Sequence, residues 1–383
     1  MKKSAGSTGF SLKDKLFNRE RVGYLAGLLV SGIDGFEKKR FEQQAIRGLK
    51  KLELKERIRH LAAVVEQHLD SDFTKACDQI VNSLPPPLDP SKTDDDFGDF
   101  IFAPFGTFVA NQGLTRKHRR TAMRTLRELT MRFSMEDSIR AFINAFPDET
   151  FKDLTRWAEH SNYHVRRLVS EGTRPTLPWS CRLKTDPVRA LPLLDHLHGD
   201  PTRYVTRSVA NHLNDIAKID PAAVLQRLDH WKSAKRQTPD ELHWLTKHAL
   251  RTLIKDGHPT ALRRIGFQKR PKIELSSVSL LPPAVRPGEA VHLEFTITAK
   301  KASSLLIDYV IDFVKANEKR SSKVFKITEV HLEAGEQRVI KKRHPFRAGA
   351  TTFTLYPGTH YLTLQINGEH YDRLPFEMKS GAK

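Results

Sequence analysis

Two adjacent carboxylates, Glu136 and Asp137, are the residues of this sequence best suited to chemistry, and they lie in the segment RFSMEDSIRAF. Carboxylates serve as general acids or bases, and they stabilise positive charge that develops in a reaction. A structural role explains the same pattern, because Ser134 followed by Asp137 resembles the capped start of a helix, where acids meet the helix dipole favourably. From these residues alone, both interpretations stay open.

Other catalytic signatures are missing from the sequence. It has no Gly-rich phosphate loop, no GxSxG nucleophile elbow and no HExxH zinc motif. The cysteines, Cys77 and Cys181, are far apart and outside any CxxC pair, so we predict neither a disulfide framework nor a metal site. We therefore expect no cofactor, and any catalysis has to depend on carboxylates or aromatic side chains.

Cations recur with a period of 40 residues. The segments HVRRLVSEG, YVTRSVANH and WLTKHALRT align at this offset and place Arg167, Arg207 and Lys247 at equivalent positions, which we call the cation series. Repeats of about 40 residues built from helix pairs are typical of HEAT-like solenoids, whose units stack side by side. Such stacking would arrange the cation series as a row that follows the phosphates of DNA.

One helix of the repeat carries a longer polar stripe. In TRYVTRSVANHLNDIAK, polar side chains recur at spacings of three and four residues and therefore share one face. They are Arg203, Arg207, Asn211, Asn214 and Lys218. The stripe contains no acid and fits a polyanion, although the solvated flank of an ordinary helix has the same pattern.

The overall charge also favours an anionic partner. The chain has 64 Lys and Arg against 45 Asp and Glu, a formal net charge of +19, which indicates nucleic acid first and an anionic membrane surface second. The longest apolar stretch, around residues 25–30, is far shorter than the roughly 20 residues of a membrane span. The N-terminal segment MKKSAGSTGFSLKDK lacks the apolar run of a secretory signal. We predict a cytoplasmic bacterial protein that associates with the nucleoid when it is on DNA.

The elements that must position these residues are helices up to about Phe267. Apolar residues recur there at spacings of three and four, as in ELKERIRHLAAVVEQHL and RKHRRTAMRTLRELTMRF. One segment, SLPPPLDPSKTDDDFGDF at 83–100, combines prolines with an acidic run and is predicted to be a surface loop. Residues 1–267 are therefore predicted to form an all-α HEAT-like repeat solenoid.

After Gly266 the pattern changes to short strands. Segments such as EAVHLEFTITAK and HYLTLQING alternate apolar and polar residues between Pro, Gly and Asn turns, which is typical of a β-sandwich. Tyr361 is a candidate for the tyrosine corner of immunoglobulin-like domains, while the Cys and Trp pattern of antibody domains is missing. Residues 268–383 are predicted to form an all-β immunoglobulin-like sandwich, so the chain is multidomain.

Several segments together resemble one known family. They are LKDKLFNRERV, APFGTFVANQGL, RFSMEDSIRAF, WAEHSNYHVRRLVSEGTRPTLPW, RSVANHLNDIAKIDP and LRTLIKDGHPTALRRIGF. Their order and spacing are similar to those of the AlkC branch of the AlkC/AlkD superfamily of alkylation-repair DNA glycosylases, over nearly the whole chain. The resemblance implies a solenoid that wraps duplex DNA and hydrolyses the N-glycosidic bond of a cationic alkylated base, such as 3-methyladenine or 3-methylcytosine, without a base-flipping pocket.

The resemblance also implies roles for individual residues. Glu136 matches the catalytic glutamate of the AlkC branch, and Asp137 is the alternative, because AlkD-like relatives place an aspartate there. Since a methylated cationic base is a good leaving group, one carboxylate that stabilises the sugar cation and places a water is sufficient. Trp157 and Trp179 lie on either side of the predicted helix that carries Arg166 and Arg167. They are predicted to contact the lesion by stacking or cation–π attraction, although tryptophans buried between helices are commoner. Asn211 stands where AlkD has a tryptophan that touches the lesion.

Contacts with the DNA backbone are predicted for a larger set of polar residues. They are Arg166, Arg167, Arg174, Arg203, Arg207, Asn214, Lys218 and Lys247. The expected partner is double-stranded DNA with alkylated bases, bound by a monomer that needs no other protein. Two alternatives stay open: a non-catalytic HEAT-repeat protein that binds damaged or branched DNA, and a scaffold for protein partners, against which the cation series argues.

Overall fold

The first part of the chain consists of helices that stack in two layers. The structure is a computed structural model that describes residues 11–92, 97–349 and 353–381. Its helices are α1 (Leu12–Leu16), α2 (Arg19–Gly32), α3 (Lys38–Ile46), α4 (Leu54–Glu66), α5 (Phe73–Asn82), α6 (Ala103–Gly113), α7 (Arg119–Thr130), α8 (Glu136–Ala145), α9 (Pro147–Trp157), α10 (Tyr163–Gly172), α11 (Leu191–Leu197), α12 (Arg203–Ala217), α13 (Pro221–Ala234), α14 (Pro239–Ala249), α15 (Arg251–Lys255) and α16 (Pro259–Arg264). Short 3-10 helices lie at Leu49–Lys51, Phe100–Phe102 and Pro187–Ala190.

Alternate helices form one continuous row. Helix α4 packs on α6, α6 on α8, α8 on α10, α10 on α12 and α12 on α14, while odd-numbered helices such as α9, α11 and α13 pack on the other side. The apolar positions expected to face inward, such as Val165, Leu168 and Val169 of α10, are fully buried. This two-layer stacking is the arrangement of HEAT-like repeats and confirms the predicted all-α solenoid.

Two glycines allow α8 to lie close to both neighbours in the row. A Cβ atom at Gly106 of α6 would stand 2.5 Å from Met135 Sδ, and one at Gly172 of α10 would stand 2.6 Å from Ile139 Cγ2. Both distances are shorter than packed atoms tolerate, so a larger residue at either position would push α8 away. The first turn of α8, which begins at Glu136, is therefore held on two sides.

The strands of the second part form two facing sheets. They are β1 (Ile273–Leu281), β2 (Ala284–Val285), β3 (Ala290–Ala299), β4 (Ser303–Val314), β5 (Arg320–Leu332), β6 (Gln337–Pro345), β7 (Gly358–Ile366) and β8 (Glu369–Met378). The sheets have the strand orders β1-β3-β6 and β2-β8-β7-β4-β5, and the short pair β2–β8 is parallel while the other pairs are antiparallel. Alternate residues of β3, such as Val291 and Phe295, enter a common core with Tyr309 and Ile311 of β4. The predicted immunoglobulin-like sandwich is confirmed.

The tyrosine-corner prediction at Tyr361 is wrong. The ring of Tyr361 lies on the outer face of β7, with the Arg320 guanidinium 4.7 Å and the Arg373 guanidinium 3.9 Å from its centre. Its neighbour Leu362 faces the core instead. Side chains alternate between the two faces of a strand, so a shift of one position moves a residue from the core face to the outer face. The local sequence pattern did not show which face of β7 Tyr361 would occupy.

The chain separates into two compact units between Ala249 and Leu250, so helices α15 and α16 belong to the same unit as the strands. The boundary expected between residues 267 and 268 falls between the last helix and the first strand, and it stays a prediction of where one domain ends. Within the described residues, no helix is both long and apolar enough to span a membrane.

Two sequence predictions fall partly outside the described residues. In the expected loop at 83–100, residues 84–92 and 97–99 form neither helix nor strand, and residues 93–96 are not described. The N-terminal segment without a predicted signal sequence includes residues 1–10, which also lie outside.

Candidate functional site

Glu136 is the first residue of α8, and three side chains orient its carboxylate. Ser134 Oγ donates to Glu136 Oε2 at 2.6 Å, and Arg167 donates to the same oxygen at 2.6 Å. The indole Nε1 of Trp179 donates to Oε1 at 3.2 Å. Glu136 is 9% exposed, so its carboxylate is nearly enclosed, and the three donors hold it in one orientation.

The helix-cap interpretation of this segment is wrong in its details. Met135 occupies the N-cap position of α8 and makes no side-chain capping bond. The Ser134 hydroxyl, which was expected to cap the helix, donates to Glu136 instead and accepts from Arg167 at 2.7 Å. The adjacent Asp137 is exposed and makes no side-chain hydrogen bond or ion pair with the described part of the chain. Of the two candidate carboxylates, only Glu136 is built into a network.

Arg167 does not lie in an exposed row, contrary to the prediction from the repeat. It is 5% exposed, and its guanidinium is 2.6 Å from Glu136 and 3.5 Å from Glu171. The ring of Tyr204 packs on the guanidinium, 4.7 Å from its centre. Burial by itself would lower the pKa of Arg167, but the two carboxylates outweigh it and raise the pKa. The geometry makes this arginine a partner of acids and leaves it no access to a phosphate.

The ion pairs continue from α10 to α12. Arg174 donates to Glu171 at 2.6 Å and lies 2.8 Å from Asp215 of α12, and Ser208 Oγ also donates to Glu171 at 2.7 Å. Burial would raise the pKa of Glu171, but Arg167 and Arg174 overcome this and lower it. We call Glu136, Arg167, Glu171, Arg174 and Asp215 the buried charge network. Because Glu136 and Glu171 share Arg167, neither carboxylate has that cation to itself.

Trp179 brings an aromatic surface to this network. Its ring is 48% exposed, while its Nε1–H points at Glu136. Trp179 belongs to residues 173–181, which we call the Trp179 loop. The Lys55 ammonium donates to the main-chain oxygen of Trp179. Arg140 of α8 donates to the oxygens of Arg174 and Cys181, at 2.8 and 2.7 Å, and so ties the two ends of the loop together.

The other predicted lesion contacts are placed differently. Trp157 is buried in the helical core, which removes it from any surface that a base could reach. Asn211 is half-buried, and its side-chain oxygen is 2.9 Å from His248 Nε2. Of the three residues, Trp179 alone combines an exposed ring with a bond to Glu136. Tertiary packing decides this, because the sequence shows only that Trp157 and Trp179 flank α10 and that Asn211 lies on the polar stripe of α12.

Most of the predicted DNA-backbone residues have partners within the protein. Arg166 is 2.5 Å from Asp200, Arg203 is 2.7 Å from Glu241 and stacks over Trp244, and Arg174 belongs to the buried charge network. Asn214 is buried. Of the remaining members, Arg207 and Lys247 are half-buried, and Lys218 is exposed with its ammonium 3.5 Å from Asp215. Their contact with DNA stays a prediction, whereas the expected continuous row that begins at Arg167 does not form.

Sequence reasoning missed Glu171, Asp215 and Ser208. The local sequence had no clear signal for them, because α10 and α12 are amphipathic and their polar residues are enclosed only when the two helices pack on each other. Polar residues in such enclosed helices must pair with one another. Within the described residues, no group of three or more His, Cys, Asp or Glu side chains is arranged to hold a metal ion.

Comparisons with known proteins extend these observations. Residues 274–380 match the family model described as the C-terminal Ig-like domain of the uncharacterised protein YhaZ. The chain is 33% identical over 368 residues to YhaZ of Bacillus subtilis, which covers 95% of this chain and 98% of that protein. The structure of this chain is similar to that of the Pseudomonas fluorescens alkylpurine DNA glycosylase AlkC bound to DNA containing an abasic site analogue. The TM-score is 0.86 at 31% identity, over 97% of this chain and 100% of that one.

Proposed function

Because this chain belongs to the AlkC branch of the AlkC/AlkD superfamily, we propose that it is a DNA glycosylase that releases alkylated bases from duplex DNA. The similar structure is that of an alkylpurine DNA glycosylase with DNA bound, and the match extends over the full length of that protein. Cationic bases such as 3-methyladenine and 3-methylcytosine are the proposed substrates. The proposed reaction is hydrolysis of the bond between the base and deoxyribose C1′.

The orientation of Glu136 is the observation that carries this proposal. Ser134, Arg167 and Trp179 hold its carboxylate at the edge of an exposed aromatic ring. When the C1′–N bond breaks, its electron pair neutralises the cationic base and leaves an oxocarbenium-like sugar. A preorganised carboxylate stabilises that positive charge, and it accepts a proton from the water that then adds to C1′.

The exposed ring of Trp179 supports selection of positively charged bases. Cations are attracted to the face of an indole ring, and the interaction is worth about 0.5–2 kcal/mol depending on how well water is excluded. Because Nε1 of the ring is bonded to Glu136, a base that stacks there is close to the carboxylate. The positive charge of the lesion supplies both recognition and leaving-group activation, so this mechanism needs no enclosed base pocket.

Arg167 has the role of a positioning residue in this mechanism. It shares Glu136 Oε2 with Ser134 and donates to the Ser134 hydroxyl as well, so it fixes both groups. Its own place is fixed by Glu171 and by the ring of Tyr204. The geometry therefore supports a role through Glu136 and not through direct contact with DNA.

Release of methylated bases tests the proposal. Duplex DNA treated with a methylating agent is incubated with the full chain, and the freed bases are separated and quantified against an enzyme-free control. We expect release by the wild-type protein and a loss of about 100-fold or more in Glu136→Gln, with duplex binding retained. Asp137→Asn is the matched control and should keep most of the activity. Duplex binding without release above the Glu136→Gln level would favour the non-catalytic DNA-binding alternative.

A further inference from the structure

Arg140 is buried without a carboxylate partner, unlike the other arginines of the solenoid interior. Arg57 is 2.6 Å from Asp14, and Arg167 is 2.6 Å from Glu136. Arg140 is 0% exposed, donates to three main-chain oxygens and makes no ion pair within the described residues. Its Nη2 has no hydrogen-bond partner there.

The charge of Arg140 is therefore poorly compensated. Carbonyl oxygens satisfy donors but carry no formal charge, and an enclosed cation without a counter-ion is unfavourable. Burial accordingly lowers the pKa of Arg140, whereas the carboxylates around Arg167 raise the pKa of that residue. The two arginines belong to neighbouring helices of one row, but Asp137 acts on Arg140 only from beyond ion-pair distance, whereas Arg167 has two carboxylates within it.

Arg140 lines a cavity of about 470 Å³ behind the Trp179 loop. The hydroxyl-bearing residues Thr176, Ser180 and Thr185 line the same cavity, and Ser180 Oγ is buried without a hydrogen-bond partner in the described part of the chain. Arg182 also lines it, with an exposed guanidinium that forms no ion pair among the described residues. Two cationic residues and several hydroxyl-bearing residues thus line one cavity.

The one acid in the cavity wall can offset only one of these two positive charges. Asp186 lines the cavity, but its carboxylate accepts a hydrogen bond from Val188 N at 3.0 Å and so caps the 3-10 helix Pro187–Ala190. Within the described residues, Asp186 forms no ion pair with Arg140 or Arg182. With Arg140 and Arg182 against Asp186, the charged residues that line the cavity have a net positive charge.

We propose that this cavity, which we call the Arg140 cavity, binds a phosphate group that supplies the counter-charge Arg140 lacks. A phosphate has several acceptor oxygens, which match Arg140 Nη2, Ser180 Oγ and the Arg182 guanidinium. The volume exceeds that of a free phosphate ion and leaves room for an attached sugar. The source of the group is either free phosphate or a phosphate of bound DNA, and the same donors would serve both.

A phosphate in the Arg140 cavity would also stabilise the Trp179 loop. Arg140 already holds the two ends of this loop, and Ser180 and Arg182 lie at its end. Neutralising the Arg140 charge would therefore stabilise the loop in the conformation that sets Trp179 against Glu136. The site itself does not depend on the proposed glycosylase activity.

Thermal unfolding with inorganic phosphate tests the site. Arg140→Gln would lose the bonds that close the loop and is unsuited, so the variant is Arg182→Ala, with Lys184→Ala as the control. Lys184 is exposed on the same segment and does not line the cavity. Phosphate is titrated against chloride at constant ionic strength. We expect a saturable rise in Tm for wild type and Lys184→Ala, and an apparent phosphate affinity about tenfold weaker in Arg182→Ala.

An equal rise in Tm for Arg182→Ala and Lys184→Ala would overturn the proposal, because phosphate stabilises proteins in general without a specific site. The absence of any rise in the wild type would overturn it as well. The source of the group is decided by repeating the titration with a saturating duplex that carries an abasic analogue. If DNA supplies the phosphate, free phosphate adds no further stabilisation and Arg182→Ala weakens duplex binding more than Lys184→Ala. If the site takes free phosphate, the rise persists and both variants bind the duplex equally. Base release is not measured, so failure here is distinct from failure of the proposed function.

Discussion

Helices α10 and α12 are consecutive units of the same repeat, yet they use equivalent positions differently. Arg167 and Arg207 are equivalent, but Glu171 of α10 corresponds to Asn211 of α12. Arg167 therefore has a carboxylate one turn away on its own helix, in addition to Glu136 of α8, and is buried. Arg207, whose helix has an amide at that position, stays half-buried. One acid thus separates a unit with a buried charge network from a unit whose cation stays near the surface.

The comparison shows how a repeat can concentrate chemistry in one place. Apolar positions such as Val165 and Val205 must stay equivalent, because every unit packs on its neighbours. Polar positions carry no such constraint, so a carboxylate can appear in one unit only. The α12 unit even supplies Ser208 and Asp215 to the network of its neighbour.

Removing Glu171 should have the largest effect on stability. Glu171→Gln would leave Arg167 and Arg174 with one fewer buried acid, and breaking a buried ion pair from one side costs about 3–5 kcal/mol. Asn211→Ala at the equivalent position of α12 removes one hydrogen bond to His248 and should cost about 1 kcal/mol. Urea unfolding measures both, and a similar loss in the two variants would remove the distinction between the units.

Replacing either of the equivalent arginines, Arg167 or Arg207, with Gln should separate effects on catalysis from effects on DNA binding. Arg167→Gln should lower the rate of base release by about 10- to 100-fold, because Glu136 loses a donor that orients it, while the salt dependence of duplex binding stays unchanged. Arg207→Gln should keep the release rate and reduce the salt slope by about 1. Single-turnover release and duplex titrations at several salt concentrations provide the readouts. A reduced salt slope for Arg167→Gln would restore that residue to the predicted phosphate contacts.

Replacing Trp179 should affect base release, whereas replacing Trp157 should affect stability, and the effect on release should be smaller than that of Arg167→Gln. Trp179→Ala should lower release of cationic bases by about tenfold, the equivalent of a lost cation–π contact, with little change in Tm. Trp157→Ala should lower Tm sharply, because Trp157 is a core side chain. Parallel release assays and thermal melts decide the point. An unchanged rate in Trp179→Ala would show that its ring takes no part in binding the base.

The free energy of unfolding should depend on pH through His212 of α12, a histidine that has no counterpart in α10. Burial lowers the pKa of His212 to about 3, and α10 has Gly172 at the equivalent position. Between this value and the ordinary pKa of about 6.5, the unfolded chain binds a proton that the folded protein does not. The stability that depends on neutral His212 is therefore complete above pH 6.5 and falls by up to about 1.4 kcal/mol per pH unit below it. His212→Gln should flatten this decline in urea unfolding between pH 7 and pH 5, and an unaltered slope would contradict the assignment.

The prediction of architecture from sequence succeeded because it depended on repeated local patterns. Spacings of three and four residues and alternation in strands are set by backbone geometry, so they identify helices and strands without knowledge of the fold. Roles that depend on one position relative to another helix were harder to predict. Arg167 belongs to a genuine repeat, but its environment depends on Glu136, which is 31 residues away and on another helix.

Composition and periodicity were enough to establish a basic chain with a helical repeat followed by a β-sandwich, since these properties sum over many residues and tolerate local errors. They also singled out Glu136 and Asp137 as neighbours at a helix start. Only packing distinguished the two carboxylates, by enclosing Glu136 with Arg167 and Trp179 and leaving Asp137 in solvent. Burial and ion pairing are properties of the space between α8, α10 and the Trp179 loop, and that space exists only once the chain has folded.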